Sequence, residues 1–275
     1  MTTQSSRSAS PQAPSPVSRE IVDDVAVLTL DSPASRNALS EAMIRALHDA
    51  LDAIRDDRAV RAVVITANGP AFSSGHDLKE LTARRTDADR GRAFFARLMT
   101  SCADMMQTIV HLPKPVVAAV QGVATAAGCQ LVATCDLAVA SDKATFATPG
   151  IDIGLFCSTP MVALSRNVPR KHAMHMLLTG EPVSAERARD MGLVNTVVSA
   201  GLERNAAIDL ARKISRKSAY TLKVGKEAFY RQAEMSLAEA YRYAAQVMTE
   251  NMMARDAEEG IGAFIEKRAP KWEDR

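Results

Sequence analysis

Gly122 to Asp136 reads G-V-A-T-A-A-G-C-Q-L-V-A-T-C-D, directly after the apolar run Val116–Val120. An apolar run of that length, closed by a glycine, predicts a strand. Small residues follow, and the pattern then predicts a helix starting near Ala127. Where a strand passes through a small-residue turn into a helix, free backbone N–H groups and the positive end of the helix dipole meet. Such a turn can hold a negatively charged oxygen.

A second segment has the same build. Val60–Thr66, V-R-A-V-V-I-T, predicts a strand ended by Asn68-Gly69-Pro70, and Ala71–Leu78 follows as A-F-S-S-G-H-D-L. Two small-residue turns whose N–H groups converge on one carbonyl oxygen have the layout of an oxyanion hole.

Outward from these turns, strands alternate with helices. Val25–Leu30 predicts a strand; Leu39, Met43, Leu47, Leu51 and Ile54 recur at helical spacing behind Ser40. A helix is expected from Gly91 to His111 and a strand over Leu137–Ser141, with the charged stretch Lys79–Arg92 as a mobile surface region. The alternation implies an α/β class. Beyond Pro160 helical patterns dominate, from Thr159–Asn167 to Asp256–Lys267. The expected organisation is an extension over 1–20, an α/β core over 21–200 and a helical region over 201–275.

The chain has 275 residues, 47% hydrophobic and 24% charged, with a formal net charge of +2. That balance suits a globular protein and gives no basic field for nucleic acid. No apolar run approaches the roughly 18 residues of a membrane span. The four cysteines, Cys102, Cys129, Cys135 and Cys157, form no C-x-x-C pair and suggest buried thiols rather than a metal site. Residues 1–19 are rich in Ser and Pro and lack an apolar core, which argues against a secretory signal. They contain no acids, but Pro11, Pro14 and Pro16 oppose an amphipathic targeting helix. The expected compartment is the cytoplasm, with the mitochondrial matrix as the alternative.

Both turns, in this order and separation, resemble the enoyl-CoA hydratase/isomerase (crotonase) family. So do Leu177–Glu181 (L-L-T-G-E), A-x-x-x-G-L-V at Ala188–Val194 and E-G-I-G-A-F-I-E-K-R at Glu259–Arg268. Ser141–Pro160 looks like one branch of it. The resemblance implies a spiral of ββα units with C-terminal helices that form trimers or hexamers. It implies an acyl-CoA substrate, coenzyme A being part of that substrate, and no permanently bound cofactor or metal. The N–H groups of His76 and Ala127 would hold the thioester oxygen. Arg36, Ala38, Ser74, Gly75, Asp77, Leu78, Ala126, Gly128 and Pro149 would lie along the substrate, with Phe264 and Lys267 of the last helix as further coenzyme A contacts.

At the positions of the family's two catalytic glutamates stand Gln130 and Gly150. An amide cannot take a proton from water near neutral pH, and glycine has no side chain. Asp152 is a candidate substitute or an ordinary loop residue. Ser73, Ser74, His76 and Asp77 suggest a nucleophilic triad, but neighbours on an extended loop point apart. Hydration, isomerisation, decarboxylation and thioester hydrolysis remain open, as does acyl-CoA binding without catalysis.

Overall fold

The computed structural model describes residues 15–275. Residues 1–14, most of the expected extension, lie outside the described residues. The start of the folded chain is earlier than Ile21. Strand β1 (Val17–Val22) pairs antiparallel with β2 (Val25–Leu30) through the tight turn at Asp23 and Asp24. Its burial pattern is mostly exposed, as suits an edge strand, so no apolar run announces it.

Two sheets are built in step. The larger has the order β1, β2, β3 (Ala62–Ala67), β5 (Val116–Val120), β7 (Leu137–Ser141), β10 (Thr196–Val198); all its pairs beyond β1/β2 are parallel. The smaller has the order β4 (Ala71–Ser73), β6 (Val123–Thr125), β8 (Thr145–Ala147), β9 (Val183–Ser184). Three times the chain lays one strand in the large sheet and the next in the small one: β3 then β4, β5 then β6, β7 then β8. Helix α3 (Arg92–His111) follows the first pair after the short α2 (Leu78–Ala83); helix α4 (Ala127–Thr134) follows the second. This is the crotonase-type spiral of ββα units.

The residues of the large sheet explain its place. Every position of β2 and β3 is buried. Ala26, Leu28, Val63, Ile65 and Ala118 join the cluster beneath helix α1 (Glu41–Arg55) and α3. The alternate residues Val25, Val27, Ala62, Val64 and Ala119 pack with Ala207, Ile208 and Ala211 of α8 (Glu203–Ser215). Both faces are covered, so these strands read as unbroken apolar runs. Ser40 caps α1, its side chain accepting from Met43 N.

The stretch Lys79–Arg92 lies at the surface, as expected, and carries ordered elements. Asp77 caps α2 by accepting from the N–H groups of Lys79 and Glu80, and Asp89 accepts from Gly91 and Ala93 at the start of α3. Short caps, rather than apolar periodicity, order it.

Helices α5 (Pro160–Asn167), α6 (Arg170–Thr179) and α7 (Ala185–Asp190) precede α8. Then α9 (Ala219–Gln232), α10 (Leu237–Met252) and α11 (Arg255–Ile265) form an arm. The four cysteines are free and buried. Among the described residues no helix is long and apolar enough to cross a membrane.

Candidate functional site

Strands β4 and β6 are parallel neighbours, Ser73 facing Ala124, so their turns leave the same edge side by side. Gly75 and Gly128 set how closely they meet. Gly75 has φ +85°, and a Cβ there would lie 2.8 Å from Ala126 Cβ, 3.0 Å from Thr125 O and 3.2 Å from Ala127 N. A Cβ on Gly128 would lie 2.3 Å from Ser73 O. Only glycine permits either approach.

Ala126 takes φ 51°, ψ −119°, a conformation that L residues rarely adopt. The surroundings impose it: its N–H donates to Ala147 O at 2.9 Å and its carbonyl accepts from Gln130 N at 3.0 Å. Ala127 then starts α4. Neither its N–H nor that of His76 has an acceptor among the described residues. Two backbone donors are thus left at the edge where the turns meet.

His76 is tied to the S-R-N-A-L segment. Leu39 N donates to Gly75 O at 2.7 Å, and His76 Nδ1 lies 3.2 Å from Leu39 O. A carbonyl only accepts, so Nδ1 carries the hydrogen. Burial pushes the imidazole below its ordinary pKa, with the Leu39 bond working against the shift. The ring is neutral near pH 7, and its buried Nε2 has no partner among the described residues. The nucleophilic triad is absent in geometry as well. Ser73 Oγ donates to Asn37 O, and Asp77 is spent on capping α2.

Asn37 is a site residue that the sequence reading passed over. Fully buried with φ 53°, it donates from Nδ2 to Asn68 O and Ala71 O, both at 2.8 Å. It fastens the Ser35–Leu39 segment to β4. Ser74 N completes the seam on Arg36 O at 3.0 Å. Ala38 is buried there, while Arg36 is exposed. An asparagine flanked by Arg and Ala carries no periodic signal that marks such a role.

Gln130, 5% exposed, stands on the first turn of α4 with no partner for Oε1. Thr148, just before Pro149, is buried with an unpartnered Oγ1. Gly150 lies in the 3₁₀ turn Pro149–Ile153. Asp152 is exposed, and its Oδ2 sits 2.9 Å from where a Cβ on Gly180 would stand, so it packs against the end of α6. Leu78, at the start of α2, is exposed. Phe264 is 85% exposed, and Lys267 is exposed with φ 56°.

A cleft of about 340 Å³ lies elsewhere, between α9 and the core. Its polar wall is Asp136, which accepts from Lys226 Nζ at 2.7 Å, Val116 N at 2.7 Å and Tyr230 OH at 2.8 Å. It offers no unpaired backbone donors, and its polar groups are engaged with one another.

Fold and corner define a spiral α/β protein with paired backbone donors at the ends of two parallel strands. The model of the enoyl-CoA hydratase/isomerase family matches residues 20–275, and the chain belongs to that family. It is 46% identical over 259 residues to human enoyl-CoA hydratase domain-containing protein 3, mitochondrial, covering 94% of this chain and 84% of the human protein. The crystal structure of that human protein superposes with a TM-score of 0.88, covering 94% of this chain and 100% of the other. An enoyl-CoA hydratase structure from Mycobacterium smegmatis also gives 0.88, at 48% identity, covering 94% and 98%. A 2,3-dehydroadipyl-CoA hydratase of Escherichia coli K12 is 34% identical, covering 91% and 96%.

Proposed function

We propose that the chain binds acyl-CoA thioesters and polarises their carbonyl through the N–H groups of His76 and Ala127. The observation that carries this is the pair of acceptor-free donors beside Gly75, one of them at the first turn of α4. A helix start and a dry, buried surround both favour the negative oxygen of an enolate or tetrahedral intermediate. The reaction class is enoyl-CoA hydratase-like, in acyl-CoA metabolism. Hydration by two glutamates is not expected, because Gln130 and Gly150 stand in their places, Asp77 and Glu80 are engaged elsewhere, and Asp152 is exposed beside Gly180.

Assembly follows from the arm. Phe264 and Ile265 are among the most exposed apolar residues of the described chain. A homotrimer, or a hexamer built from two trimers, buries such faces and brings Phe264 and Lys267 to the coenzyme A of a subunit boundary. The relatives named mitochondrial support the matrix over the cytoplasm as the compartment.

The test is calorimetric binding of butyryl-CoA. His76→Ala keeps the backbone donor and is expected to bind within a few-fold of the natural protein. Gly75→Ala forces the turns apart and is expected to weaken binding clearly more than His76→Ala does. If the two variants bind alike, the backbone donors do not hold the thioester.

A further inference from the structure

Gly150 is closed in by the chain that follows it. Leu155 N donates to Gly150 O at 2.8 Å, folding residues 150–155 back. A Cβ at position 150 would lie 2.8 Å from Cys157 Sγ, 3.0 Å from Leu155 O and 3.4 Å from Cys157 N. Real Cβ atoms essentially never come that close to another atom, so the sulfur occupies the space in which a side chain at 150 would begin.

Cys157 also borders α4. Cys129, on the first turn of that helix and fully buried, is pushed up to about 12 by burial first and by the neighbouring Cys157 thiol second. Two further side chains belong to the same surroundings. Gln130 follows Cys129, and Thr148 stands two residues before Gly150. They are 5% and 0% exposed, and Gln130 Oε1 and Thr148 Oγ1 have no partners among the described residues. Buried polar atoms are nearly always satisfied, so two orphans that flank the Gly150–Cys157 contact along the chain point to a ligand that meets them.

We propose that Cys157 is the specificity-determining residue for the acyl group. Its sulfur walls the pocket on the side of Gly150, so the site takes thioesters whose acyl chain carries no branch on that side. Gln130 and Thr148 supply neutral hydrogen-bonding groups beside it. This rests on the acyl-thioester reading above.

One methyl group more or less in a fitted pocket changes selectivity by about 10–200-fold. Calorimetry with butyryl-CoA and 2-methylbutyryl-CoA therefore tests the wall. The natural protein is expected to favour butyryl-CoA by about tenfold or more, Cys157→Ser to keep that ratio, and Cys157→Gly to bring it to within about threefold. An unchanged ratio in folded Cys157→Gly overturns the proposal. A second measurement needs no variant. Slow alkylation by iodoacetamide, mapped by mass spectrometry, is expected to mark Cys157 in the free protein. Butyryl-CoA is expected to protect it and coenzyme A without an acyl group to leave it open. Equal protection by both, or no labelling of the free protein, overturns the proposal. Failure of the natural protein to bind any acyl-CoA overturns the oxyanion reading itself, which the ratio and labelling outcomes leave standing.

Discussion

The corner around Gly75 and the arm of α9–α11 are built on opposite terms. In the corner, backbone meets backbone so tightly that a single methyl at Gly128 would sit 2.3 Å from Ser73 O. In the arm, α9 and α10 bury no residue completely, and a Cβ on Gly225 would meet nothing within 4 Å. Leu237, Tyr241, Met253 and Phe264 are 72–85% exposed. The corner is finished within one chain. The arm presents apolar faces that nothing among the described residues covers.

A buried polar knot ties the arm to the core beside the Arg61–Asp274 pair, and breaking it gives the largest expected effect. Lys226 Nζ donates to Asp136 and to the carbonyls of Ile109 and Lys114, with side-chain exposures of 8% for the lysine and 16% for the aspartate. Burial lowers the lysine below its ordinary pKa, while Asp136 works against the shift. Removing one partner of such a buried pair costs about 3–5 kcal/mol, because the other charge is stranded. Lys226→Met is expected at the lower end, since Tyr230 and Val116 still donate to Asp136. Adding Asp136→Asn should recover part of the loss in urea denaturation. A full loss that the second change leaves untouched would mean that packing, not the ion pair, holds the arm.

The same substitution carries opposite signs in the two regions. Gly128→Ala is expected to destabilise by about 1–3 kcal/mol or more, as overpacking does. Gly225→Ala is expected to stabilise by about 0.5–1 kcal/mol, the usual gain from replacing a mid-helix glycine. Chemical denaturation with light scattering reads both. A loss at Gly225→Ala, with a drop in assembly size, would show that a neighbouring copy already fills the space beside α9.

Much of this contrast is legible in the sequence, and the exceptions have a common cause. The unbroken apolar runs of β2, β3 and β5 reveal themselves because both sheet faces are covered. The two turns stand out as strings of small residues. Strand β1 hides because Ser18, Arg19 and Glu20 are exposed along it. The strands β4, β6 and β8 are three residues long, too short for any period. Gly150 is the sharpest case. In sequence it reads as a missing carboxylate. In the fold it is a filled position, and the atom that fills it comes from Cys157, seven residues later. Asn37 is similar, since its value lies in reaching Asn68 and Ala71, some 31 and 34 residues away. Contacts of that kind leave no periodic mark.

The smallest expected effect sharpens the view of the corner as a finished interior. His76 is half-buried, with a folded pKa below its ordinary value of about 6.5, while the unfolded chain keeps that value. Between the two, the unfolded state takes up a proton that the folded state refuses. The stability tied to His76 is therefore complete above about pH 6.5 and is lost as pH falls toward the folded value, at no more than about 1.4 kcal/mol per pH unit. Carboxylates titrate in the same range, so the informative quantity is a difference. His76→Gln keeps an amide that can donate to Leu39 O and has no proton to gain. Urea denaturation at pH 7.5 and pH 5.5 should show the natural protein losing more stability than the variant. Parallel losses would mean that the imidazole is protonated in the fold. Nε2 would then carry a hydrogen, and the neutral, Nδ1-protonated ring assigned beside the two backbone donors would be wrong.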